Sequence, residues 1–324
     1  MSIYLLNYWC CAILDLNTGP LIVTGGPIGF TGLHGVAFFG IVEIVAAVLE
    51  MKECDVNAAD CMGNTALTWA AIKGCEEVVN MLLEHEDVDP DQADTYYSRT
   101  PLLWAAERGH AGIVKMLLER EEVNPGHRDR LGQTPLVLAA MKGHEGMVKM
   151  LLERRVNLDQ LDTHYGRTPL SWAAGNGKDG VVKMLLEREE VNPDQPDTKY
   201  GRTPLSWAAK SRHERVVKML LEPEDVSPNH VDTYGRTPLL WAAENGHEGV
   251  INMLLEQEVN PNQVETDYGL TPLLWAAGCG YEGIVKMLLE QEEVNLDQPG
   301  TFCGQCSQAS SPSVFRLGRD GRQV

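Results

Sequence analysis

The stretch T-P-L-S-W-A-A-G-N-G-K-D-G-V-V-K-M-L-L-E, residues 168–187, returns as T-P-L-S-W-A-A-K-S-R-H-E-R-V-V-K-M-L-L-E at residues 203–222. Extending the register places Thr31, Thr65, Thr100, Thr134, Thr168, Thr203, Thr237 and Thr271 at equivalent points, spaced by 34, 35, 34, 34, 35, 34 and 34 residues. A fixed period of this size marks stacked structural repeats, not one closed core. Each copy can be built from local chemistry. Thr168 before Pro169 opens a helix, because the hydroxyl accepts from an orphan N–H while proline at the first helical position has none to leave unpaired. A short helix carrying Leu170, Trp172, Ala173 and Ala174 ends near Gly177, or near Gly143-His144 and Gly246-His247 in other copies, where glycine supplies a positive φ. Val181, Val182, Met184, Leu185 and Leu186 then recur at helical spacing and predict a second helix. Its outer face is charged, as Glu145, Lys149 and Glu153 illustrate in another copy.

Between copies runs V-N-P-D-Q-P-D-T-K-Y-G, residues 191–201, whose Pro, Asp and Gly exclude a long helix and predict a hairpin-like finger. Neither helix can bury its apolar stripe alone, so neighbouring copies must stack. The pattern T-P-L-x-W-A-A, then G-H-E-G-V-V-K-M-L-L-E, then V-N-P-D resembles the ankyrin repeat. That resemblance implies an all-α repeat solenoid of about eight units with β-hairpin fingers, whose fingers and first helices line a concave binding face. The wording Y-G-R-T-P-L-x-W-A-A also resembles long arrays in filamentous-fungal proteins. Two features depart from the family pattern. The His that follows T-P-L and ties the turn between units is kept only as His34, with Thr68, Leu103, Val137, Ser171, Ser206, Leu240 and Leu274 elsewhere. The period is also longer than the family's, and the surplus falls in the finger.

The repeat domain is expected over residues 28–300, with a degenerate first unit that has Gly32 in the proline position. Residues 1–27 form an apolar leader, starting M-S-I-Y-L-L-N-Y-W-C-C-A-I-L. With no Lys or Arg before the apolar run and too few apolar residues to span a bilayer, it reads less as a signal peptide or an anchor than as a leader that is either buried, as a cover for the first unit, or poorly ordered. Residues 301–324 are polar and aperiodic and are expected to be disordered.

The 27 Lys and Arg against 46 Asp and Glu give a formal charge of −19, which repels a phosphate backbone and argues against direct nucleic-acid binding. The eight cysteines cluster toward the two ends, with none between Cys75 and Cys279, unlike the even spread of a disulfide framework. A reducing compartment, cytoplasm or nucleus, is expected.

Candidate chemistry is sparse. Cys303 and Cys306 have C-x-x-C spacing but lack both a second zinc-binding pair and the strand-helix context of a redox pair. His110, His144, His213 and His247 recur once per unit, about 10 Å apart if helices pack side by side, too far to share a metal, and read as turn residues. Asp91/Asp94, Asp194/Asp197 and Asn229/Asp232 lack the order of a calcium loop and read as solvated turn carboxylates. Trp69, Trp104, Trp172, Trp207, Trp241 and Trp275 read as core between first helices, with Leu138 in the same place. No phosphate loop, nucleophile elbow or zinc-protease motif stands out, so no enzyme, cofactor or metal is expected.

Function is therefore sought where the repeat frame leaves residues free: Tyr97, Arg99, Glu107, Arg108, Tyr165, Arg167, Tyr200, Arg202, Tyr234, Arg236, Glu244, Asn245 and Tyr268. Tyr and Arg are enriched at binding hot spots, which suits a non-catalytic adaptor gripping a protein partner. Their near-identity from unit to unit equally suits an internal brace. Acidic fingers suggest a basic partner, and a monomeric chain without membrane contact is expected. The alternative is a transcriptional co-regulator or the regulatory or sensor part of a larger signalling protein.

Overall fold

The computed structural model describes residues 30–51 and 54–297. The expectations for the leader, the tail and the Cys303/Cys306 pair lie outside the described residues. The chain divides into two compact units, Met1–Asn157 and Leu158–Val324. In the first lie α1 (Gly32–Phe39), α2 (Val42–Leu49), α3 (Ala66–Lys73), α4 (Glu76–Leu83), α5 (Pro101–Arg108), α6 (Ala111–Leu118), α7 (Pro135–Lys142) and α8 (Glu145–Leu152). In the second lie α9 (Pro169–Gly175), α10 (Asp179–Leu186), α11 (Pro204–Lys210), α12 (Glu214–Leu220), α13 (Pro238–Glu244), α14 (Glu248–Leu255), α15 (Pro272–Cys279) and α16 (Glu282–Leu289). Within each unit, first helices pack on first helices and second on second, as α3 on α5 and α4 on α6, or α11 on α13 and α12 on α14. No helix among the described residues is long and apolar enough to cross a membrane.

The helices form as the local chemistry requires. Thr65, Thr100 and Thr134 in the first unit, and Thr168, Thr203, Thr237 and Thr271 in the second, each accept from the backbone N–H three residues on. Leu102, Leu117, Leu136 and Leu151 in one unit and Leu170, Leu185, Leu205 and Leu220 in the other are fully buried. Each contributes on the order of 1.5–3 kcal/mol relative to exposure. At α1 the cap is different. Thr31 N–H donates to His34 Nδ1 at 3.0 Å, and His34 Nε2 lies 3.0 Å from the Asn64 carbonyl in the following finger. Nδ1 is thus the acceptor and Nε2 carries the proton. Burial lowers the His34 pKa.

The histidines read as turn residues do more than end a helix. His110 Nε2 lies 3.2 Å from the Ile72 carbonyl, and His247 Nε2 3.0 Å from the Lys210 carbonyl, so each ties its helix pair to the end of the preceding first helix. The glycine beneath must be bare. At Gly177, with φ +63°, a Cβ would come within 2.5 Å of His213 Nδ1. Among the described residues two non-glycine residues occupy the left-handed region that glycine takes in sister copies: Arg212 at φ 62°, before His213, and Ser98 at φ 59°, in the finger. An L side chain there costs about 1–2 kcal/mol, partly offset by glycine's greater entropy loss on folding. Ser98→Gly and Arg212→Gly are each expected to stabilise the chain by roughly 0.5–1 kcal/mol in urea denaturation. A fall in midpoint for both would contradict this.

The fingers differ from expectation. Among the described residues there is no strand. Each finger closes on one or two backbone bonds, as Asp94 N–H to the Arg99 carbonyl at 2.9 Å, or Asp197 N–H to the Arg202 carbonyl at 2.9 Å with Gly201 N–H to the Asp197 carbonyl at 3.0 Å. Neighbouring fingers meet through as little as one more, such as Thr233 N–H to the Tyr200 carbonyl at 2.9 Å. The remaining tip amides turn inward to a carboxylate side chain, so no ladder is left to propagate.

Candidate functional site

That carboxylate organises the finger and the first-helix face beside it. Asp94 Oδ1 accepts from the N–H groups of Tyr96 and Tyr97 at 3.0 and 2.6 Å, while Oδ2 accepts from Arg99 N–H at 3.2 Å and from the Trp104 indole at 3.0 Å. Asp162, Asp197 and Asp232 repeat the arrangement in the second unit, each with an indole bond of 2.9–3.1 Å to Trp172, Trp207 or Trp241. The expectation of solvated turn carboxylates is corrected for this member of each pair. Asp94, Asp197 and Asp232 are buried, because a carboxylate that satisfies several inward N–H groups is more stable inside than a finger with those groups orphaned.

The tryptophans are also placed differently from the core reading. Among the described tryptophans only Trp241 is buried, at 4% exposure; Trp69, Trp104, Trp172, Trp207 and Trp275 are half-buried. The close approach of first helices is filled by alanines such as Ala173, Ala174, Ala208 and Ala209, which leaves no room for an indole. The ring swings toward the finger, where its N–H finds the aspartate. Leu138, with no N–H to place, is fully buried as expected.

Arginine completes the face. In the second unit guanidinium and indole alternate. Arg167 lies 4.5 Å from the Trp172 ring centre and 3.2 Å from that of Trp207, Arg202 lies 4.8 Å from Trp207 and 4.2 Å from Trp241, and Arg236 lies 4.6 Å from Trp241. Such contacts contribute about 0.5–2 kcal/mol each, more where water is excluded. Carboxylates hold three of the four arginines. Arg99 bonds Glu107 at 2.6 Å and Asp129 at 3.0 Å, Arg202 bonds Asp232 at 3.1 Å, and Arg236 bonds Glu244 at 2.8 Å. Arg167 Nε is buried without a hydrogen-bond partner. Desolvation lowers the Arg167 pKa to about 10, against the raising influence of Asp197 and Asp162.

The residues singled out from sequence take equivalent positions within each unit, at different depths. Arg99, Arg167, Arg202 and Arg236 are 6–8% exposed. Glu107 and Glu244 are half-buried against them, and Tyr165, Tyr200 and Tyr268 are half-buried. Tyr97 and Tyr234 are 45% and 36% exposed. Their rings meet indoles edge-on, as Tyr97 with Trp104 at 5.8 Å and Tyr268 with Trp275 at 6.1 Å. Arg108, exposed at the end of α5, and Asn245, exposed after α13 with its Nδ2 donating to the Trp241 carbonyl at 2.8 Å, lie at the far end of the first helices. Finger and first-helix residues converge on a groove of about 430 Å³ lined by Tyr165, Arg167, Trp172, Tyr200, Arg202, Trp207 and Lys210. Among the described residues no three metal-ligating side chains come together.

One finger breaks the rule. Glu265 stands in the aspartate position and, one methylene longer, spends its oxygens on the N–H groups of Asp267, Tyr268 and Leu270, leaving the Trp275 indole N–H buried without an acceptor. Glu265→Asp should restore that bond and raise stability by about 1 kcal/mol. Unchanged or lower stability in thermal denaturation would show that the finger has no aspartate-compatible form.

A family model described as ankyrin repeats (3 copies) matches residues 10–94, 86–162, 155–232 and 224–298. No curated protein matches the chain in sequence.

Proposed function

The chain belongs to the ankyrin-repeat family, a family of protein-interaction modules, and on that premise we propose that it is a non-catalytic adaptor that holds a protein partner on its finger and first-helix face. The observation that carries this reading is the convergence of tyrosine, tryptophan and cationic side chains from two fingers and two first helices on one open groove. Aromatic and arginine side chains are the types that dominate binding energy when a partner covers them. In the second unit Tyr234 and Asn245 are exposed at the equivalent finger and helix-end positions of the next repeat, and in the first unit Tyr97 and Arg108 are exposed at the same positions of their own repeat. The chain acts as a monomer in the cytoplasm or nucleus. Its charge of −19 draws a partner of net positive charge at long range.

The test is a crosslinking pull-down from source-cell lysate with the intact chain and with a Tyr165→Ala/Tyr200→Ala variant whose circular dichroism is unchanged. A specific partner that the variant retains about tenfold less supports the assignment. Equal retention by the two chains overturns it.

A further inference from the structure

The repeat contains its own demonstration of what this groove takes. Eight residues after the finger arginine, at the end of the first helix, Arg99 has Glu107 and Arg236 has Glu244, and in both cases the carboxylate lies on the guanidinium, at 2.6 and 2.8 Å. Arg167 has Gly175 at that position and Arg202 has Lys210. The units whose finger position is not arginine carry no acid there either: Asn64 pairs with Ile72, Gln133 with Met141 and Leu270 with Gly278. The glutamate thus accompanies arginine except in two adjacent units, and those two form the groove. The consequence is local and chemical. Arg167 is 7% exposed and lines the groove, and although its buried Nε lacks an acceptor as that of Arg236 does, Arg167 alone of the four finger arginines has no carboxylate within ion-pair distance. Arg202 keeps only Asp232. Lys210 adds a third cation, its Nζ 4.3 Å from the Trp241 ring centre, and Lys199 a fourth, its Nζ 4.6 Å from that of Tyr165. Burial, with Arg202 next, lowers the Lys210 pKa. These four cations stand against the three buried carboxylates of Asp162, Asp197 and Asp232, so the groove, walled by aromatic rings, carries a small positive excess on a chain of charge −19.

We infer that this groove is a docking site for an acidic segment of the protein partner, whose side-chain carboxylates take the place that Glu107 and Glu244 fill in the sister units. The inference rests on the interaction reading above and adds the chemistry of recognition. Guanidinium and carboxylate match in planar geometry and share two parallel hydrogen bonds, so Arg167 and Arg202 select a carboxylate, while the aromatic walls exclude water and strengthen the attraction. Long-range repulsion between an acidic segment and this acidic chain is the cost, which makes the local complementarity the source of specificity.

The structure also supplies the test, because the missing carboxylate can be returned to the chain. A Cβ at Gly175 meets nothing closer than 3.4 Å, and Gly175 is helical, so Gly175→Glu is accommodated. With Lys210→Glu it caps both arginines from within. Fluorescein-labelled hexaglutamate is titrated into the full-length chain, the Gly175→Glu/Lys210→Glu double variant, and Glu244→Gln as a variant that opens a sister site. Hexaglutamate is expected to bind the intact chain in the sub-millimolar range, to weaken at least tenfold on the double variant, and to weaken with added salt. The double variant should melt at a higher temperature than the intact chain, which separates capping from unfolding, and Glu244→Gln should bind hexaglutamate at least as well. Equal binding of hexaglutamate to the intact chain and the folded double variant, or preference for hexalysine, overturns the inference. So does tighter binding of inorganic phosphate or a phosphoserine peptide than of hexaglutamate, which would assign the groove to phosphate instead. A lysate partner that remains bound to the double variant leaves the adaptor reading standing and removes only the acidic-segment assignment.

Discussion

Asp232→Ala is expected to destabilise the chain by about 3–5 kcal/mol, more than any other single change in a finger. Its Oδ1 accepts from Tyr234 N–H at 2.9 Å and Arg236 N–H at 3.0 Å, and its Oδ2 from the Trp241 indole and from Arg202 Nε, both at 3.1 Å. The carboxylate is fully buried and the Arg202 side chain is 7% exposed. Truncation orphans three neutral donors and leaves a buried charge without its counterion, and the second of these is the larger penalty. Asp232→Asn keeps the backbone bonds and removes the charge, so it should fall between wild type and alanine. Thr233→Ala, next in sequence and exposed, should stay within about 0.5 kcal/mol. Guanidinium denaturation ranks the three, and amide exchange should accelerate at Tyr234 and Arg236 in the alanine variant. A loss below about 1 kcal/mol for Asp232→Ala would mean that water substitutes for the carboxylate.

Trp207→Ala is expected to cost about 3 kcal/mol, although the residue is only half-buried. Its ring separates two guanidiniums, Arg167 at 3.2 Å and Arg202 at 4.8 Å, and its N–H donates to Asp197 at 2.9 Å. Removal brings two like charges face to face, in addition to the apolar area lost. Trp275→Ala is the internal comparison. Its indole N–H already lacks an acceptor and only Arg236, 5.5 Å away, stacks on it, so it should cost no more than about half as much. Equal losses in thermal and chemical denaturation would show that the arginine contacts contribute nothing and that only apolar area counts.

The repeat, the caps and the two helices of each copy were legible in the sequence because their causes are local: Thr-Pro fixes a helix start, and the Val-Val-x-Met-Leu-Leu spacing fixes a buried face. The finger was legible as a turn and misread as a hairpin, since Pro, Asp and Gly report where a chain reverses and not whether its amides pair with backbone or with a side chain. The buried aspartates were missed for a related reason. An acid between Pro and Gly looks solvated by composition, and only the recurrence of Asp60, Asp94, Asp129, Asp162, Asp197 and Asp232 five or six residues before each repeat's Thr hints that the side chain is used. The tryptophans' register was right and their depth was not, because helix periodicity gives the face of a short helix but not the polar partner that draws an indole toward a finger. At Tyr165, Arg167, Tyr200 and Arg202, pattern alone left bracing and binding equally open. The companion residue eight positions on, glutamate at 107 and 244, glycine at 175 and lysine at 210, is the sequence feature on which the proposal for the groove rests.

Everything proposed for this face depends on the finger arginines being structural charges held by buried carboxylates, with Arg167 short of one. A double-mutant cycle on Arg202 and Asp232 measures that directly, using Arg202→Met, Asp232→Asn and the double variant in guanidinium denaturation. Strong coupling is predicted: the double variant should be at least about 1.5 kcal/mol more stable than the sum of the single losses implies, because removing both charges leaves none buried alone. Additivity within about 0.5 kcal/mol would contradict it and would return the arginines to the solvent as independent surface groups.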